Sequence, residues 1–235
     1  MKLQKYKLKA SIRKQFDNLS DEDKVLFGFK FGFKNYSDLV VLDQIFTYYG
    51  LENHPVLKTL ALNVKDAELA YNYAYYVIKR RWPEVEDIIK TDLAFVCLYA
   101  QNVIKGRWPE AEDIIKTDVR ACYQYALEVV KGRWIEGEDI IKTNAKVAYR
   151  YAYHVVQGRW SVGEDIIKTD LDSASDYARE IVQDRWPEGE EIIKTDPYCA
   201  HLYAYNVIRD RWPEGEDIIR TDKELWDDYQ EEFIK

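Results

Sequence analysis

The sequence predicts an all-α protein, an α-solenoid of about six helix-turn-helix repeats. The first observation is a tryptophan that recurs every 26 residues without insertion or deletion, at positions 82, 108, 134, 160, 186 and 212. The second is that every copy carries two helical patterns separated by a turn. The third is size: one hairpin of two short helices buries too little apolar area to be stable alone, so neighbouring copies must supply the rest.

The first helix is predicted to begin at a Thr-Asp pair in four copies, at Thr143-Asn144 in one and at Lys65-Asp66 in the first, and Thr221-Asp222 opens the C-terminal helix in the same way. Asp and Asn are preferred N-caps because their side-chain oxygen accepts a hydrogen bond from an orphan backbone N–H. Pro197 directly follows Asp196, which suits the first helical position. In the second copy the apolar positions 96, 99, 100, 103 and 104 form one stripe of a 3.6-residue helix. Glycines 106, 132 and 158 are predicted to end this helix in three copies.

The second helix is predicted to begin at a proline in four copies, with Ile135 and Ser161 at that position in the others. Glu110 and Glu112 lie at the positive end of its dipole in the second copy. The pattern ends near Lys116, so the second helix has barely two turns.

The ends of the chain depart from the repeat and predict three regions. Residues 1–65 are predicted to form an N-terminal cap or small domain, and its first sixteen residues are a basic arm with six positive charges and no acid. In this region Ser20 is predicted to cap a helix, and residues 38–49 a second one. Residues 66–222 are the tandem repeats, and residues 223–235 are a capping helix with an apolar stripe of Trp226, Tyr229 and Phe233.

Composition and charge restrict the function classes. The chain has a net charge of −8, and residues 1–34 carry nine Lys/Arg against four acids, a balance of +5 that leaves −13 for residues 35–235. Direct nucleic-acid binding is therefore disfavoured except through the basic arm. No apolar run is long enough to span a membrane, and the first residues do not resemble a secretion signal. Cysteines 97, 122 and 199 are predicted to be buried thiols in the reducing cytoplasm.

The Arg-Trp pairs are the most regular residues and have two interpretations. In the favoured one each Trp packs between repeats and each Arg bonds an acid such as Glu112, so both serve the repeat structure. In the other, the pairs form an aromatic and cationic ladder for a nucleic-acid strand. The residues assigned to the repeat structure are Arg81, Trp82, Arg107, Trp108, Arg133, Trp134, Arg159, Trp160, Arg185, Trp186, Arg211 and Trp212.

No motif indicates catalysis, a metal or a cofactor. The recurring acid pairs are adjacent in sequence, so the two side chains point in different directions along a helix. The three histidines are widely separated and no phosphate-binding glycine loop is present. We therefore expect a protein that is not an enzyme.

Information specific to this protein lies where the copies differ, at three first-helix positions outside the apolar stripe. Tyrosine and histidine on an otherwise polar face are typical of a binding surface, because tyrosine gives a large contact area at low entropic cost. Packing between repeats is the alternative role for part of this set. The candidate partner-binding residues are Tyr71, Tyr75, Tyr76, Gln101, Tyr123, Tyr149, Tyr153, His154, Arg179, His201 and Tyr205.

The run Tyr-Ala-x-x-Val-Ile-Lys-Gly-Arg-Trp-Pro-Glu-Ala-Glu, clearest at 99–112, is similar to tandem repeats of uncharacterised bacteriophage proteins. The two-helix unit also has a distant likeness to the tetratricopeptide and HEAT class of α-solenoids. The resemblance covers residues 66–222 and implies an α-solenoid of viral origin, but no catalytic or ligand residues.

We expect a protein-binding scaffold, a viral protein that binds and inhibits or sequesters a host defence factor in the host cytoplasm. The alternatives are an acidic decoy that mimics nucleic acid and a sponge that holds a small ligand such as a nucleotide.

Overall fold

The structure, a computed structural model, describes residues 18–20, 23 and 65–234. The predictions for the basic arm, the helix at 38–49 and the N-terminal region as a whole lie outside the described residues. One local prediction in this region is confirmed, because the Ser20 hydroxyl oxygen accepts a hydrogen bond from the Asp23 N–H at 3.0 Å.

All regular secondary structure in the described residues is helical, and none of these helices is long and apolar enough to cross a membrane. The all-α repeat architecture predicted from the sequence is thus confirmed. Repeats 1 to 6 are the 26-residue copies that begin at residues 66, 92, 118, 144, 170 and 196. The described part of the chain divides into two compact units, with the boundary between Ile114 and Ile115. The first contains repeat 1 and most of repeat 2, and the second contains the remainder.

Each first helix is α-helical and then π-helical. The α-helical parts are Ala67–Asn72, Leu93–Tyr99, Val119–Gln124, Ala145–Tyr151, Leu171–Tyr177 and Pro197–Tyr203. The π-helical parts are Tyr73–Ile78, Ala100–Ile104, Tyr125–Val130, Ala152–Val156, Ala178–Val182 and Ala204–Ile208. A π-helix has one extra residue in each hydrogen-bonded turn and is rare. The sequence analysis did not predict it.

The predicted N-caps are confirmed. The Asp92 carboxylate accepts a hydrogen bond from the Ala94 N–H at 2.9 Å, and the Asn144 side chain accepts one from the Val147 N–H at 3.0 Å. In repeat 4 the residue before the next N-cap, Thr169, donates its hydroxyl hydrogen to the Ile166 carbonyl at 2.7 Å. The Thr-Asp pair therefore closes one helix and opens the next.

The prediction that glycines 106, 132 and 158 end the first helices was wrong by one residue. The left-handed residue is the one before the glycine position, and it is never a glycine: Lys79, Lys105, Lys131, Gln157, Gln183 and Arg209, with φ between 54° and 59°. The physical reason is the π turn, in which the N–H of Gln183 bonds the Ala178 carbonyl at 2.8 Å and so already occupies the closing position.

The second helices are short, as predicted. Their bounds are Pro83–Val85 (a 3₁₀ turn) continued by Glu86–Ile89, then Pro109–Ile115, Ile135–Ile141, Ser161–Ile167, Pro187–Ile193 and Pro213–Ile219. Each follows directly on the repeat tryptophan, whose indole folds back over the first turn of the helix in repeats 3 to 6. A Cβ placed on Gly189 would lie 2.2 Å from Cε3 of Trp186. Repeats 1 and 2 have Val85 and Ala111 at this position, so their tryptophan rings cannot sit in the same place relative to the second helix.

The core of each unit repeats with the sequence. The first three stripe positions are fully buried in every repeat, for example Val96, Tyr99 and Ala100 at 0% exposure. The predicted last two positions, 103 and 104, are only half-buried in repeat 2, although Ile78, Val129 and Val207 at these positions in other repeats are buried. Of the three free cysteines Cys122 is buried as predicted, whereas those at 97 and 199 are half-buried.

The C-terminal helix spans Lys223–Phe233. Its Tyr229 is fully buried and stands one period after Tyr203. In every repeat such a tyrosine packs against the tryptophan nine residues later, at 4.9 Å between centroids for Tyr203 and Trp212. In the C-terminal helix Trp226 stacks on Tyr229 at 5.5 Å. Trp226, on the same helix as Tyr229, thus makes the aromatic contact that the repeat tryptophan makes elsewhere.

Candidate functional site

A buried glutamate lies near the start of every second helix and binds the arginine that precedes the tryptophan. In repeat 4 Arg159 Nε and Nη2 donate to the two oxygens of Glu164 at 2.7 and 3.1 Å. The pair is bidentate, because the planar guanidinium matches the planar carboxylate. The Arg–acid pairing expected from the sequence is present in all six repeats, on Glu86, Glu112, Glu138, Glu164, Glu190 and Glu216, which are 3–8% exposed.

A tyrosine from the following repeat completes this cluster. The hydroxyl of Tyr177, in repeat 5, accepts a hydrogen bond from the Trp160 backbone N–H at 2.8 Å and donates to Glu164 at 3.0 Å. The same pair of bonds joins Tyr151 to repeat 3 and Tyr203 to repeat 5. Within the first unit, Tyr99 makes both bonds to repeat 1. Within each unit, neighbouring repeats are therefore joined by a buried polar network as well as by apolar contact.

The sequence analysis placed these tyrosines in the apolar stripe and missed their hydroxyl groups. The signal was available, since the position is tyrosine in all six repeats and again at Tyr229, and never phenylalanine. A buried position that needs only packing area would tolerate either ring. The invariant hydroxyl indicates a hydrogen bond.

Burial and hydrogen bonding act in opposite directions on the ionisable groups of the cluster. Burial alone would raise the pKa of Glu164, but the hydrogen bonds from Arg159 and Tyr177 outweigh it and lower that pKa below its ordinary value. Burial raises the pKa of Tyr151 to about 12, against the smaller opposing effect of the Trp134 N–H. The carboxylate thus stays charged and the phenol stays neutral at neutral pH, as the observed donor and acceptor roles require.

The tryptophans and arginines are thus used within the repeat structure. The six repeat tryptophans are at most 3% exposed, so no indole face is available for a base to stack on. Their partner rings are the tyrosines nine residues earlier, at 4.9–5.5 Å between centroids. This overturns the alternative in which the Arg-Trp pairs form a ladder for nucleic acid.

The candidate binding residues differ in accessibility. The three at the repeat position of Tyr75 are exposed tyrosines, at 39% for Tyr75, 44% for Tyr153 and 47% for Tyr205. His154 is also exposed. Tyr71 and His201 are buried, at 8% and 7%. The remaining candidates are half-buried: Tyr76, Gln101, Tyr123, Tyr149 and Arg179.

In the first unit the candidates form an aromatic cluster on repeat 1. Tyr71 and Tyr75 are stacked at 5.8 Å between centroids with 7° between their planes, and Tyr76 meets Tyr75 edge-on at 4.7 Å. The Tyr71 ring is covered by Phe95 of repeat 2, and its hydroxyl accepts a hydrogen bond from Asn102 at 3.0 Å. Tyr71 therefore joins repeats 1 and 2, which is the packing role left open by the sequence, while Tyr75 faces solvent.

In the second unit the candidates of repeats 3 and 4 lie together. Tyr153 meets His154 edge-on at 4.9 Å and Tyr149 at 6.2 Å. The His154 ring also lies 6.4 Å from Tyr123, which belongs to repeat 3. The first helices of two neighbouring repeats thus present one continuous aromatic surface.

Two other candidates in the second unit are bound to neighbours. Arg179 is paired with Asp176 at 2.5 Å and with Glu180 at 2.9 Å, both on its own helix. His201 Nε2 lies 2.8 Å from an Asp228 carboxylate oxygen on the C-terminal helix. These contacts give the two residues roles in structure that the sequence analysis did not foresee.

Some exposed side chains on the described surface were missed by the sequence analysis. Tyr198 is 58% exposed and lies one helical turn before His201, on the same stripe as Tyr205. Leu98 is 36% exposed on the corresponding helix of repeat 2. Ile135 and Val162, at 62% and 55%, stand at the start of second helices where other repeats have Pro or Glu. Their departure from the repeat consensus was the available signal.

Within residues 18–20, 23 and 65–234, no group of three or more His, Cys, Asp or Glu side chains is arranged to hold a metal ion. The fold and the recurring buried network define a tandem-repeat helical protein of the α-solenoid type. Comparisons of the chain with protein-family models, with curated proteins and with solved structures found no match.

Proposed function

We propose that this protein is a non-enzymatic scaffold that binds another protein through the outward face of its first helices. The observation that carries the proposal is the exposed tyrosine at one repeat position, found in repeat 1 and again in repeats 4 and 6. The tryptophans, arginines and buried glutamates are engaged in packing and hydrogen bonds within and between repeats. The first-helix positions that vary in sequence therefore make this surface differ from one repeat to the next.

The chemistry of this face suits a protein partner. Tyrosine combines a large apolar ring with a polar hydroxyl and has few rotatable bonds, so it gives contact area at low entropic cost. His154 beside Tyr153 adds a group that both donates and accepts hydrogen bonds.

The test is affinity purification with the full chain and with the variant Tyr75→Ala/Tyr153→Ala/Tyr205→Ala. The expected result is loss of a stoichiometric partner with an unchanged melting temperature, because the three rings are 39–47% exposed. The matched control is Ile135→Ala/Val162→Ala, which removes side chains that are more exposed but lie at the start of second helices. Loss of the partner in the control alone would place the interface on the second helices and refute the proposal.

From the resemblance to bacteriophage repeats alone, we propose further that the partner is a host protein of the infected cell's cytoplasm, which the chain inhibits or sequesters. Purification from uninfected host cells would recover that partner. Recovery only of proteins encoded by the same genome as the repeat protein would contradict the proposal of a host partner.

A second candidate function, an acidic decoy for a nucleic-acid-binding protein, is supported by the second helices. In five repeats one acid is almost fully exposed there, at 86–98% of the side chain for Asp87, Asp139, Asp165, Glu191 and Asp217. Each of these acids, however, pairs with a Lys or Arg three residues later. A decoy requires partner binding that weakens steeply with salt and that fails when these acids are changed to Asn or Gln.

A further inference from the structure

Repeat 4 differs in charge from every other repeat. Residues 144–169 contain four Lys/Arg and two acids, a balance of +2, whereas each of the other five 26-residue repeats is net negative. Repeat 5, residues 170–195, has three Lys/Arg and eight acids, a balance of −5. The positive charge of repeat 4 therefore stands out within an acidic array.

Part of this charge lies on the first-helix face. Arg150 stands one helical turn before Tyr153 and His154, and it is exposed. Repeat 3 places a second exposed arginine, Arg120, one turn before Tyr123. Neither arginine forms an ion pair within the part of the chain that the structure describes. By contrast Lys146 lies 3.7 Å from Asp172 of repeat 5.

One ring contact joins repeats 3 and 4 on this face. The ring of His154 lies 6.4 Å from that of Tyr123. Burial raises the pKa of Tyr123, while the positive charge of Arg150 lowers it and the negative charge of Glu128 raises it, so both charged groups act on this hydroxyl. We call Arg120, Tyr123, Arg150, Tyr153 and His154 the basic aromatic patch.

We propose that the basic aromatic patch is the docking site for an acidic, extended segment of the partner protein. Two unpaired arginines beside two tyrosines and a histidine offer charge complementarity to carboxylates together with apolar contact for the intervening side chains. The inference rests on the proposed function and names the partner chemistry at one part of that face.

The acidic residues next to the patch disfavour the binding of a long polyanion such as a nucleic-acid strand. Past the patch, the same face of repeat 5 carries Asp172, Asp176 and Glu180, with Arg179 already bound to the last two. A nucleic-acid strand has a phosphate at every nucleotide and would meet these acids after crossing two repeats. A protein segment can carry its acids only where the patch lies.

The spacing of repeats sets the spacing of acids in such a segment. Packed helices lie about 8–10 Å apart. An extended chain covers this distance in about three residues at ~3.3 Å each. Carboxylates at every third residue would therefore meet Arg120 on repeat 3 and Arg150 on repeat 4.

The experiment measures binding of fluorescent nonapeptides to the full chain by anisotropy. The probe has glutamate at every third position with serine and leucine between, and the comparison peptide has lysine at the same positions. We expect the glutamate peptide to bind and Arg150→Glu to weaken it at least about tenfold, while the lysine peptide gains affinity for the same variant. This exchange of preference would not arise from a variant that failed to fold.

The matched control is Lys223→Glu, which makes the same change of charge on an exposed residue of the C-terminal helix. It is expected to change either affinity less than about twofold, because the charge lies outside the patch and is screened by salt. An equal effect of Lys223→Glu and Arg150→Glu would show that net charge alone drives binding and would overturn the proposal.

Other results would also overturn it. Absence of glutamate-peptide binding at about 1 mM peptide, where even weak sites are occupied, would do so. So would tighter binding of a nine-nucleotide single-stranded RNA than of the peptide. If Arg150→Glu has no effect but the triple tyrosine variant loses its partner, this inference fails while the proposed function stands.

Discussion

At the scale of single residues, the buried glutamates show how the structure keeps a charge inside the protein. Glu164 is 8% exposed and accepts hydrogen bonds from Arg159, Tyr177 and Trp186 Nε1, the last at 3.3 Å. Two of these donors belong to repeat 5, so one carboxylate joins two repeats. A buried carboxylate is tolerated only when donors of this kind replace its hydration.

Glu164→Ala is therefore expected to lower the free energy of unfolding by about 1–3 kcal/mol, because it leaves buried donors without an acceptor. Denaturant titration of the full chain measures this. The control is the adjacent Asp165→Ala, whose side chain is 92% exposed and pairs only with Lys168, and it should cost less than about 1 kcal/mol. Equal effects of the two variants would show that the buried network adds nothing.

The left-handed residues are a second local feature, since none of the six is a glycine. A side chain in this conformation is strained by about 1–2 kcal/mol, because its Cβ approaches a carbonyl oxygen. The strain recurs once per repeat and is offset by the closing hydrogen bond, 2.8 Å in the case of Gln183.

Gln183→Gly, which removes this strain, is expected to raise the free energy of unfolding by up to about 1 kcal/mol after the entropic cost of glycine in the unfolded chain. Asp184→Gly, one residue later, should instead be destabilising. Its φ is not left-handed, and it loses the hydrogen bond from the Arg185 N–H at 2.7 Å. Chemical denaturation of both variants checks the assignment, and a gain for Asp184→Gly would contradict it.

At the scale of elements, the second helix is fixed by a tryptophan that precedes it and a glycine within its first turn. In repeats 3 to 6 the indole lies where a Cβ on that glycine would be, 2.2–2.3 Å from Cε3. The close approach lets a helix of only seven residues share a buried aromatic surface with the first helix. Glycine is used here for space and not for an unusual φ.

Gly189→Ala is expected to destabilise the chain by about 1–3 kcal/mol, since the indole of Trp186 must shift within a packed core. Tryptophan fluorescence and denaturant titration report the shift and the loss together. Gly158→Ala is the matched substitution, because nothing lies within 4 Å of the added Cβ, and it should be neutral or slightly stabilising. A neutral Gly189→Ala would mean that the ring moves at no cost.

At the scale of the whole molecule, stability depends on bonds that cross from one repeat to the next within each unit. The tyrosine hydroxyls accept a hydrogen bond from the tryptophan N–H of the preceding repeat and most also donate one to its buried glutamate, and Arg185 adds an ion pair to Glu214 of repeat 6 at 3.0 Å. In repeat arrays the nearest-neighbour interface decides whether a unit folds, because one hairpin is too small by itself. Because the tyrosine hydroxyls that form these bonds are ionisable, the stability of each unit depends on pH.

The free energy of unfolding is expected to stay constant up to about pH 9 and to fall between about pH 10 and 12. Burial raises the pKa of Tyr151 from its ordinary value of 10.0 to about 12, and burial raises the pKa of Tyr177 and Tyr203 as well. Because the folded pKa is the higher one, this stabilisation is present below the unfolded pKa and is lost as pH rises through the folded pKa.

Denaturant midpoints across this pH range, compared with the variant Tyr177→Phe/Tyr203→Phe, test the assignment. The variant should start less stable and show a smaller fall, whereas Tyr205→Phe, which changes a ring 47% exposed, should behave like the parent. An identical alkaline fall in all three proteins would assign it to lysines instead.

Much of the fold was predictable because the same local sequence signals recur in all six repeats. The Thr-Asp caps, the proline at the start of the second helix and the stripe at 96, 99 and 100 were read correctly. The π-helical turn was not predicted, since its residues also fit an α-helix and only the Ala178 to Gln183 closing bond distinguishes the two. Of the candidate surface, the exposed position of Tyr75, Tyr153 and Tyr205 was among the residues chosen, but Tyr71 and His201 are covered by neighbouring helices.

The sequence by itself determined the 26-residue period, the helix pairs and the residues that every repeat needs. These follow from local chemistry: N-capping, proline geometry and apolar periodicity act within one copy. Only the tertiary structure decided that the hydroxyl of Tyr177 donates a hydrogen bond to the carboxylate of Glu164 and that the ring of His154 lies 6.4 Å from that of Tyr123. Those pairs come from different repeats, and the way one helix pair stacks on the next sets which side chains are enclosed and which remain available to a partner.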